Sequence, residues 1–416
     1  MATTSRLSGL KDATPLERRA RVADAAGLDP DALAVLDPEA GLGLAAADHL
    51  IENVVGILGL PVGVATNFTV DGRDYLVPMA TEEPSVVAAA SNAARMAREH
   101  GGFTTSTTGE TMIAQIQVVD VPDPEAGRIR LLEGAAELLA LAAEQDPMLV
   151  SLGGGPRELR VRVLPTRTGT HLVAHLLVDV RDAMGANAVN TMAEALAPRV
   201  AELARGRSLL RILSNKADER LTRVRAVFDR ELLGGADVVR DIVHASAFAE
   251  ADPYRAATHN KGIMNGITAV VLATGNDTRA VESGAHSHAA ATGRYSALSH
   301  YEVTPDGHLA GSMELPLAVG LVGGATRAHP VAQAAVKLLG VRSARELAAV
   351  VAAVGLAQNL GALRALSAEG IQRGHMTLHA RTIAASAGAT VDEVSRVAAA
   401  LVAAKRVRIE YAEEVL

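Results

Sequence analysis

The order of hydropathy patterns along the chain predicts an α+β fold. A large helix-rich body is interrupted by a small ferredoxin-like unit and followed by a small helical C-terminal flap. Three observations predict this. Residues 110–215 read strand, helix, strand, strand, helix, strand, the split βαβ order. The flanking text is rich in Ala and Leu at helical spacing and ends in a long apolar helix at about 344–366. Residues 367–375 are then polar, with Gly370 and Gly374 ahead of two short amphipathic helices. The expected domains are 1–109 and 216–369 for the body, 110–215 for the inserted unit and 370–416 for the flap.

Composition narrows the function. A chain of 416 residues can bury a substantial core. Its 40 basic and 47 acidic residues leave a net charge of -7, with no basic excess to neutralise phosphates. Aromatics are 2% and Trp is absent, so base-stacking platforms are not expected, and nucleic acid is not an expected partner. Cys is absent, which excludes disulfides, thiolate metal sites and cysteine nucleophiles. The first twenty residues lack the apolar core of a signal peptide. No uninterrupted apolar run reaches the ~18 residues of a membrane span. A cytoplasmic protein with no membrane partner is the expectation.

Residues 1–50 read as Ala-rich helices, with Pro15 and Asp29-Pro30 as starts or breaks. Gly41-Leu42-Gly43-Leu44-Ala45-Ala46 matches the loose dinucleotide pattern GxGxxA, but no strand precedes it, so it reads as a turn. Asp71-Gly72 is a hairpin turn between strands at 67–70 and 75–78. Thr81-Glu82-Glu83-Pro84-Ser85 leads into a helix at 86–99; Pro84 suits its first turn, and Glu82 and Glu83 favour its positive end. Gly101-Gly102 ends that helix.

Within the inserted unit, strands are expected at 112–121, 159–163, 171–180 and 208–214, and helices at 128–144 and 186–204. Asp182-Ala183-Met184-Gly185-Ala186-Asn187 joins a strand to a helix. A glycine there lets backbone approach a ligand, and the free N–H groups of a helix start suit a pyrophosphate; a plain turn and N-cap is the commoner outcome. Ser151–Pro156 reads as a helix exit.

Residues 209–246 read as charged and helical, without an obvious site. Residues 252–277 are different: Arg255, Thr258, His259, Asn260, Lys261, Asn265, Asn276 and Asp277 crowd around a short apolar run. Polar groups beside a core-like segment must be hydrogen-bonded or used. Lys261 could stabilise an oxyanion, and Asp277 could cap the helix that follows. Gly320-Leu321-Val322-Gly323-Gly324-Ala325-Thr326 suggests a close backbone approach. In the flap, Thr390 and Glu393 have capping-box spacing. His375 follows the glycine hinge and could enter a site on closure, though a lone histidine is usually structural.

Taken together and in order, residues 52–56, 77–85, 179–190, 252–265, 274–277, 320–326 and 370–380 resemble the hydroxymethylglutaryl-CoA (HMG-CoA) reductases, in their class II bacterial form. The resemblance runs over essentially the whole chain. It implies catalytic residues Glu83, from EEPS; Lys261, from THNKGIMNG; Asp277, from TGND; and His375, from GHMTLH, with His379 the lesser candidate. It implies substrate contacts from Ser85, Arg255, Thr258 and Asn265. It implies that the inserted unit binds a nicotinamide dinucleotide through Asp182, Met184, Gly185 and Asn187. Asp146 matches an acidic position that favours NADH over NADPH by accepting from ribose hydroxyls and repelling a 2′-phosphate. Lys11 matches a basic residue that meets CoA phosphates, without arginine's bidentate geometry.

The chemistry the resemblance implies is reduction of HMG-CoA to mevalonate and CoA with two hydrides from NADH or NADPH, without a metal. Lys261 would stabilise the hemithioacetal oxyanion, His375 would protonate departing CoA, and Glu83 would donate a proton in the second reduction, held with Lys261 by Asp277. A homodimer, or a larger assembly of dimers, with sites at the subunit boundary is implied as well. The rival readings are catabolic mevalonate oxidation with NAD⁺ and CoA, a lyase with Lys261 as Schiff-base nucleophile, and a non-catalytic CoA-binding homologue.

Overall fold

In a computed structural model the structure describes residues 4–37, 39–369, 371–390 and 392–416. Among the described residues ten strands form two sheets. They are β1 (Val62–Val70), β2 (Arg73–Ala80), β3 (Phe103–Thr107), β4 (Thr111–Val119), β5 (Gly155–Thr166), β6 (Gly169–Asp179), β7 (Arg207–Ser214), β8 (Leu221–Phe228), β9 (Ser299–Val303) and β10 (Leu309–Pro316). The larger sheet has the order β2-β1-β3-β8-β10-β9 and the smaller β5-β6-β4-β7.

In the smaller sheet every neighbouring pair is antiparallel. Its strands lie, in chain order, as second, third, first, fourth, the ferredoxin-like arrangement. The helix Ala186–Ala204 covers it with Val189, Met192, Leu196 and Val200 fully buried. The expected helix at 128–144 is instead two, Pro124–Glu133 and Ala135–Ala143, broken at Gly134.

The expectation of helix across 209–246 fails at β8. Val224, Ala226 and Phe228 face inward, while Arg223 and Arg225 face solvent. That is the period of a strand, and β8 is central, pairing with both β3 and β10. The N-terminal 50 residues are also less helical than expected. Thr14 caps the helix Pro15–Ala26 with a full capping box, but Pro30–Leu36 is a 3₁₀ turn. Among the described residues no strand precedes Gly41–Ala46, as expected.

Two helices make the body's core. Pro253–Ala273 and Ala344–Arg364 approach closely where Gly266 faces Gln358 and Gly355 faces Ile267. A Cβ on Gly266 would lie 2.8 Å from the Gln358 side chain, and one on Gly355 would lie 2.8 Å from Ile267, so each contact requires glycine. The segment Ala344–Ser367 is long and apolar enough to cross a membrane, but 83% of its apolar window is buried inside the protein, so it is a core helix.

The C-terminal flap differs from expectation in two ways. The polar hinge is a π-helical turn, Ala365–Glu369, followed by the helix Ile371–Ser386; Gly370 lies outside the described residues. A third short helix, Ile409–Val415, follows Val394–Ala403. These helices share a small core of Ala380, Ala384, Val397, Leu401 and Ala412. Thr390 and Glu393 make half of the expected capping box: Glu393 Oε2 accepts from the Thr390 amide at 2.9 Å and from its hydroxyl at 2.7 Å, while the helix starts at Val394 with no side-chain cap.

Candidate active site

Asp252 caps the central helix by accepting from the Arg255 amide at 3.0 Å, and Pro253 opens its first turn. At about 100° per residue, Arg255, Thr258, Lys261 and Asn265 fall within an arc of about 120° on one face. The other face is buried, and the crowding of polar residues is resolved there. His259 Nε2 lies 2.7 Å from Ser299 Oγ, which donates to Asn359 Oδ1 at 2.8 Å. Asn260 donates to the Ser296 carbonyl at 2.9 Å and accepts from the Leu298 amide at 3.0 Å. Burial pushes His259 down to about 4, so it sits neutral in the core. His259 and Asn260 therefore fix the helix and leave the Lys261 stripe outward.

Glu83 comes from the turn between β2 and the helix Val86–Arg98. Its amide donates to Thr81 Oγ1 at 3.1 Å. Ser85 adopts φ 75°, a left-handed conformation uncommon for a residue with a side chain, and starts the helix without a side-chain cap. Glu83 stands two residues before Ser85, in the same turn. Its Oε2 accepts from Lys261 Nζ at 2.8 Å, across 178 residues of sequence. This is an ion pair, not the capping role that the local spacing favoured. The Lys261 and Glu83 side chains are 61% and 36% exposed, so the pair opens to solvent.

The other expected site residues divide. Arg255 is half-buried and, among the described residues, has no carboxylate partner; burial lowers its pKa. Among those residues the Ser85, Thr258 and Asn265 side chains also form no hydrogen bond, so their polar atoms are open to a ligand. Asp277 caps the helix Thr278–Ala289, accepting from the Arg279 and Ala280 amides at 2.9 and 3.1 Å, and lies 3.5 Å from the Arg279 guanidinium. No direct bond joins it to Lys261 or Glu83 among the described residues, so the three-membered network expected from the sequence is a pair here. Lys11 is exposed on the turn Leu10–Asp12, which Arg18 holds through the Leu10 and Lys11 carbonyls at 2.7 and 3.0 Å. His375 belongs to Ile371–Ser386, and its side chain lies outside the described residues; His379 is exposed.

On the inserted unit, Gly185 (φ 104°) opens the helix Ala186–Ala204 with no side-chain cap. The first amides of that helix are therefore free to meet an anion, as a dinucleotide phosphate requires, and exposed Asn187 stands on the same turn. The residues fit such a group. Asp146 caps Pro147–Ser151 with Oδ1, which accepts from the Leu149 amide at 2.9 Å, and its Oδ2 forms no hydrogen bond among the described residues.

Asp182, expected as a cofactor contact, also ties its turn to the body. Its Oδ1 accepts from the Ala344 amide at 2.7 Å, at the start of the long core helix. The neighbouring junction was not foreseen. Arg220 is 4% exposed and donates to the carbonyls of Ala183 and Met184, both at 3.1 Å, and of Val319 at 2.7 Å. A Cβ on Gly320 would come within 2.4 Å of the Met184 amide. The Gly320 amide donates to Asn276 Oδ1 at 2.7 Å, and the Leu321 amide to the Asp182 carbonyl at 2.8 Å. One buried arginine and one close glycine thus lock the Asp182–Asn187 turn to the body, beside the segment that carries Asp277. The close approach read at Gly320 is real; nothing in the sequence marked Arg220.

The sequence profile described as hydroxymethylglutaryl-coenzyme A reductase matches residues 14–380. The chain belongs to this family of oxidoreductases. It is 56% identical, over its full length and 95% of the relative, to the 3-hydroxy-3-methylglutaryl-coenzyme A reductase of Archaeoglobus fulgidus. Its fold matches the corresponding reductase of Streptococcus pneumoniae with a TM-score of 0.85 and 41% identity, covering 98% of both chains. A class II reductase from the same organism, bound to NADPH in open conformations, matches with a TM-score of 0.83 and 42% identity over 86% of this chain and 99% of the other. The α+β architecture expected from the sequence is the fold of this class.

Proposed function

We propose that this chain reduces HMG-CoA to mevalonate and CoA with NADH as the preferred donor. The observation that carries the reading is the Lys261–Glu83 pair at 2.8 Å, on a stripe with unpartnered Arg255, in a chain of this family. Arg255 grips the substrate carboxylate, with Ser85, Thr258 and Asn265 fixing the polar groups around it. Lys261 holds the thioester oxygen as negative charge develops on it. A preformed ammonium needs no metal beside it. Bound nicotinamide supplies the two hydrides. His375 protonates the departing CoA sulfur when the flap closes, and Lys11 meets CoA phosphates. Glu83 takes up a proton from solvent, delivers it to the carbonyl oxygen in the second reduction and is returned to its carboxylate form beside Lys261. Asp277 joins them once the ligand closes the site.

A Schiff-base lyase is disfavoured by the same pair, because that chemistry needs a neutral amine and Lys261 is engaged with a carboxylate. The NADH preference rests on Asp146, whose free oxygen would oppose a 2′-phosphate. The dinucleotide lies on Met184, Gly185 and Asn187, with Asp182 holding the turn from behind. A homodimer is supported by the exposed apolar side chains on either side of Glu52, where Ile51, Val55 and Leu58 are 65%, 100% and 89% exposed. A cytoplasmic location goes with this reading. Initial rates with HMG-CoA and each of NADH and NADPH test the proposal. A higher kcat/KM with NADH is expected; equal values, or a preference for NADPH, would remove the role given to Asp146.

A further inference from the structure

Two arginines of the inserted unit have no part in the chemistry proposed above, and each stands where the backbone leaves its regular course. Arg157 is the extra residue of a bulge in β5. Pro156 pairs with Val178 of β6 and Glu158 with Leu177, so Arg157 has no cross-strand partner. Such a bulge re-aims a side chain. Arg181 follows β6 with φ 51°, a left-handed conformation that strains a residue with a side chain. Both side chains turn to one place. The Gly153 carbonyl accepts from Nη2 of Arg157 and from Nη2 of Arg181. Asp179 serves the same pair. Its Oδ2 accepts from Arg157 Nη2 at 3.1 Å, and its Oδ1 accepts from the Arg181 amide at 3.1 Å and lies 3.6 Å from Arg181 Nε.

Two guanidinium groups therefore share one carboxylate, which leaves a positive charge over. Donors are left over as well. Arg157 Nε and Nη1 and Arg181 Nη1 form no hydrogen bond among the described residues, and the side chains are 48% and 42% exposed, so these donors can meet a ligand. The charge lies between the two ends of the expected dinucleotide site. Gly153 ends the helix Pro147–Ser151 that Asp146 caps, and its amide donates to the Val150 carbonyl at 2.9 Å. Arg181 stands four residues before Gly185, where the next helix offers its free amides. In a dinucleotide the group that follows the adenosine ribose is a diphosphate. With the ribose on Asp146, the phosphates must pass towards Gly185 across the Gly153 carbonyl and its two arginines.

We propose that Arg157 and Arg181 bind the diphosphate of the nicotinamide dinucleotide. The inference rests on the dinucleotide reading of the inserted unit and adds to it the groups that neutralise the phosphates. A planar guanidinium fork matches phosphate oxygens bidentately, and its full charge does what helix amides alone do weakly. Asp179 sets the spacing of the two forks, while the bulge and the left-handed turn present them side by side.

The test is calorimetry on the full chain with ADP and with adenosine, beside initial rates. The unsubstituted protein should bind ADP more tightly than adenosine, and added salt should narrow the gap. Arg181→Gln, which keeps a donor for the Gly153 carbonyl, should weaken ADP binding about tenfold and leave adenosine binding unchanged. KM should rise by a like factor for NADH and for NADPH, and not for HMG-CoA. Arg181→Lys, which keeps the charge, should recover part of the ADP affinity. Arg157→Gln should repeat the pattern of Arg181→Gln and serves if that variant folds poorly. Equal losses for ADP and adenosine, or no loss for either, would overturn the proposal. A rise in KM confined to NADPH would also overturn it, by placing the arginines on a 2′-phosphate. No ADP binding by the unsubstituted protein would overturn it together with the dinucleotide reading.

Discussion

The Lys261–Glu83 pair and the Arg220 junction are both charged, and the protein treats them in opposite ways. The first is open: its two side chains are 61% and 36% exposed, and each has one partner. The second is dry: Arg220 is 4% exposed and spends its guanidinium on three carbonyls from two segments. An exposed ion pair contributes only about 0–1 kcal/mol to stability. A buried arginine whose acceptors would otherwise be orphaned matters several times more. Under the proposed function, the comparison separates polar groups kept for ligand from polar groups that hold the Asp182–Asn187 turn against the body.

The largest expected effect tests the open half. Lys261→Ala should lower kcat by about a hundredfold to a thousandfold, the size of losing one oxyanion donor, with stability changed by no more than about 1 kcal/mol. Steady-state rates and a denaturant melt read the two halves together. Loss of folding in this variant would place Lys261 on the structural side of the comparison.

Arg220→Met tests the dry half. It should cost about 3 kcal/mol in a denaturant melt by leaving the Ala183, Met184 and Val319 carbonyls unpartnered. In the folded fraction it should raise KM for the dinucleotide more than KM for HMG-CoA. Equal effects on both would mean that the junction supports the fold without positioning the cofactor turn.

A third test concerns the histidine beneath the site. His259 is held at about 4, below its ordinary 6.5. The unfolded chain therefore takes up this proton first. Stability from this group is complete above about 6.5 and falls as the pH drops towards 4, by up to about 3 kcal/mol. Melts between pH 7 and pH 4 should show that slope, and His259→Gln should flatten it.

The smallest effect is on selectivity. Asp146→Ala should narrow the ratio of kcat/KM for NADH over NADPH by about tenfold, or roughly 1.4 kcal/mol, with kcat little changed. Its helix cap is also lost, so the melt of this variant should fall by about 1 kcal/mol.

Much of the fold was legible where the signal is local. Ala186–Ala204 has its expected bounds, Asp71-Gly72 turns the first hairpin, and Thr390 meets Glu393. What escaped was non-local. Arg223 and Arg225 make β8 read as charged helix until Arg223 is seen to pair with Glu314 of the neighbouring β10, 91 residues away. β3, β9 and β10 were missed with it, because short strands declare themselves through partners rather than through their own pattern. The site shows the same division. Lys261 stood out on its own helix, whereas spacing alone favoured a cap for Glu83 and only the family resemblance set it beside Lys261. Arg220 follows Asp218 and Glu219 and reads as a surface charge; its burial comes from loops 37 and 99 residues distant.

The most direct measurement of the central claim is the stoichiometry of the wild-type reaction. NADH oxidation and free thiol release should be followed together with HMG-CoA as substrate. Two NADH consumed for each thiol released, with mevalonate as product, is the expected result. Thiol release without NADH oxidation, or an adduct trapped on Lys261 by borohydride, would contradict the reductase reading and the role of Lys261 as an oxyanion clamp.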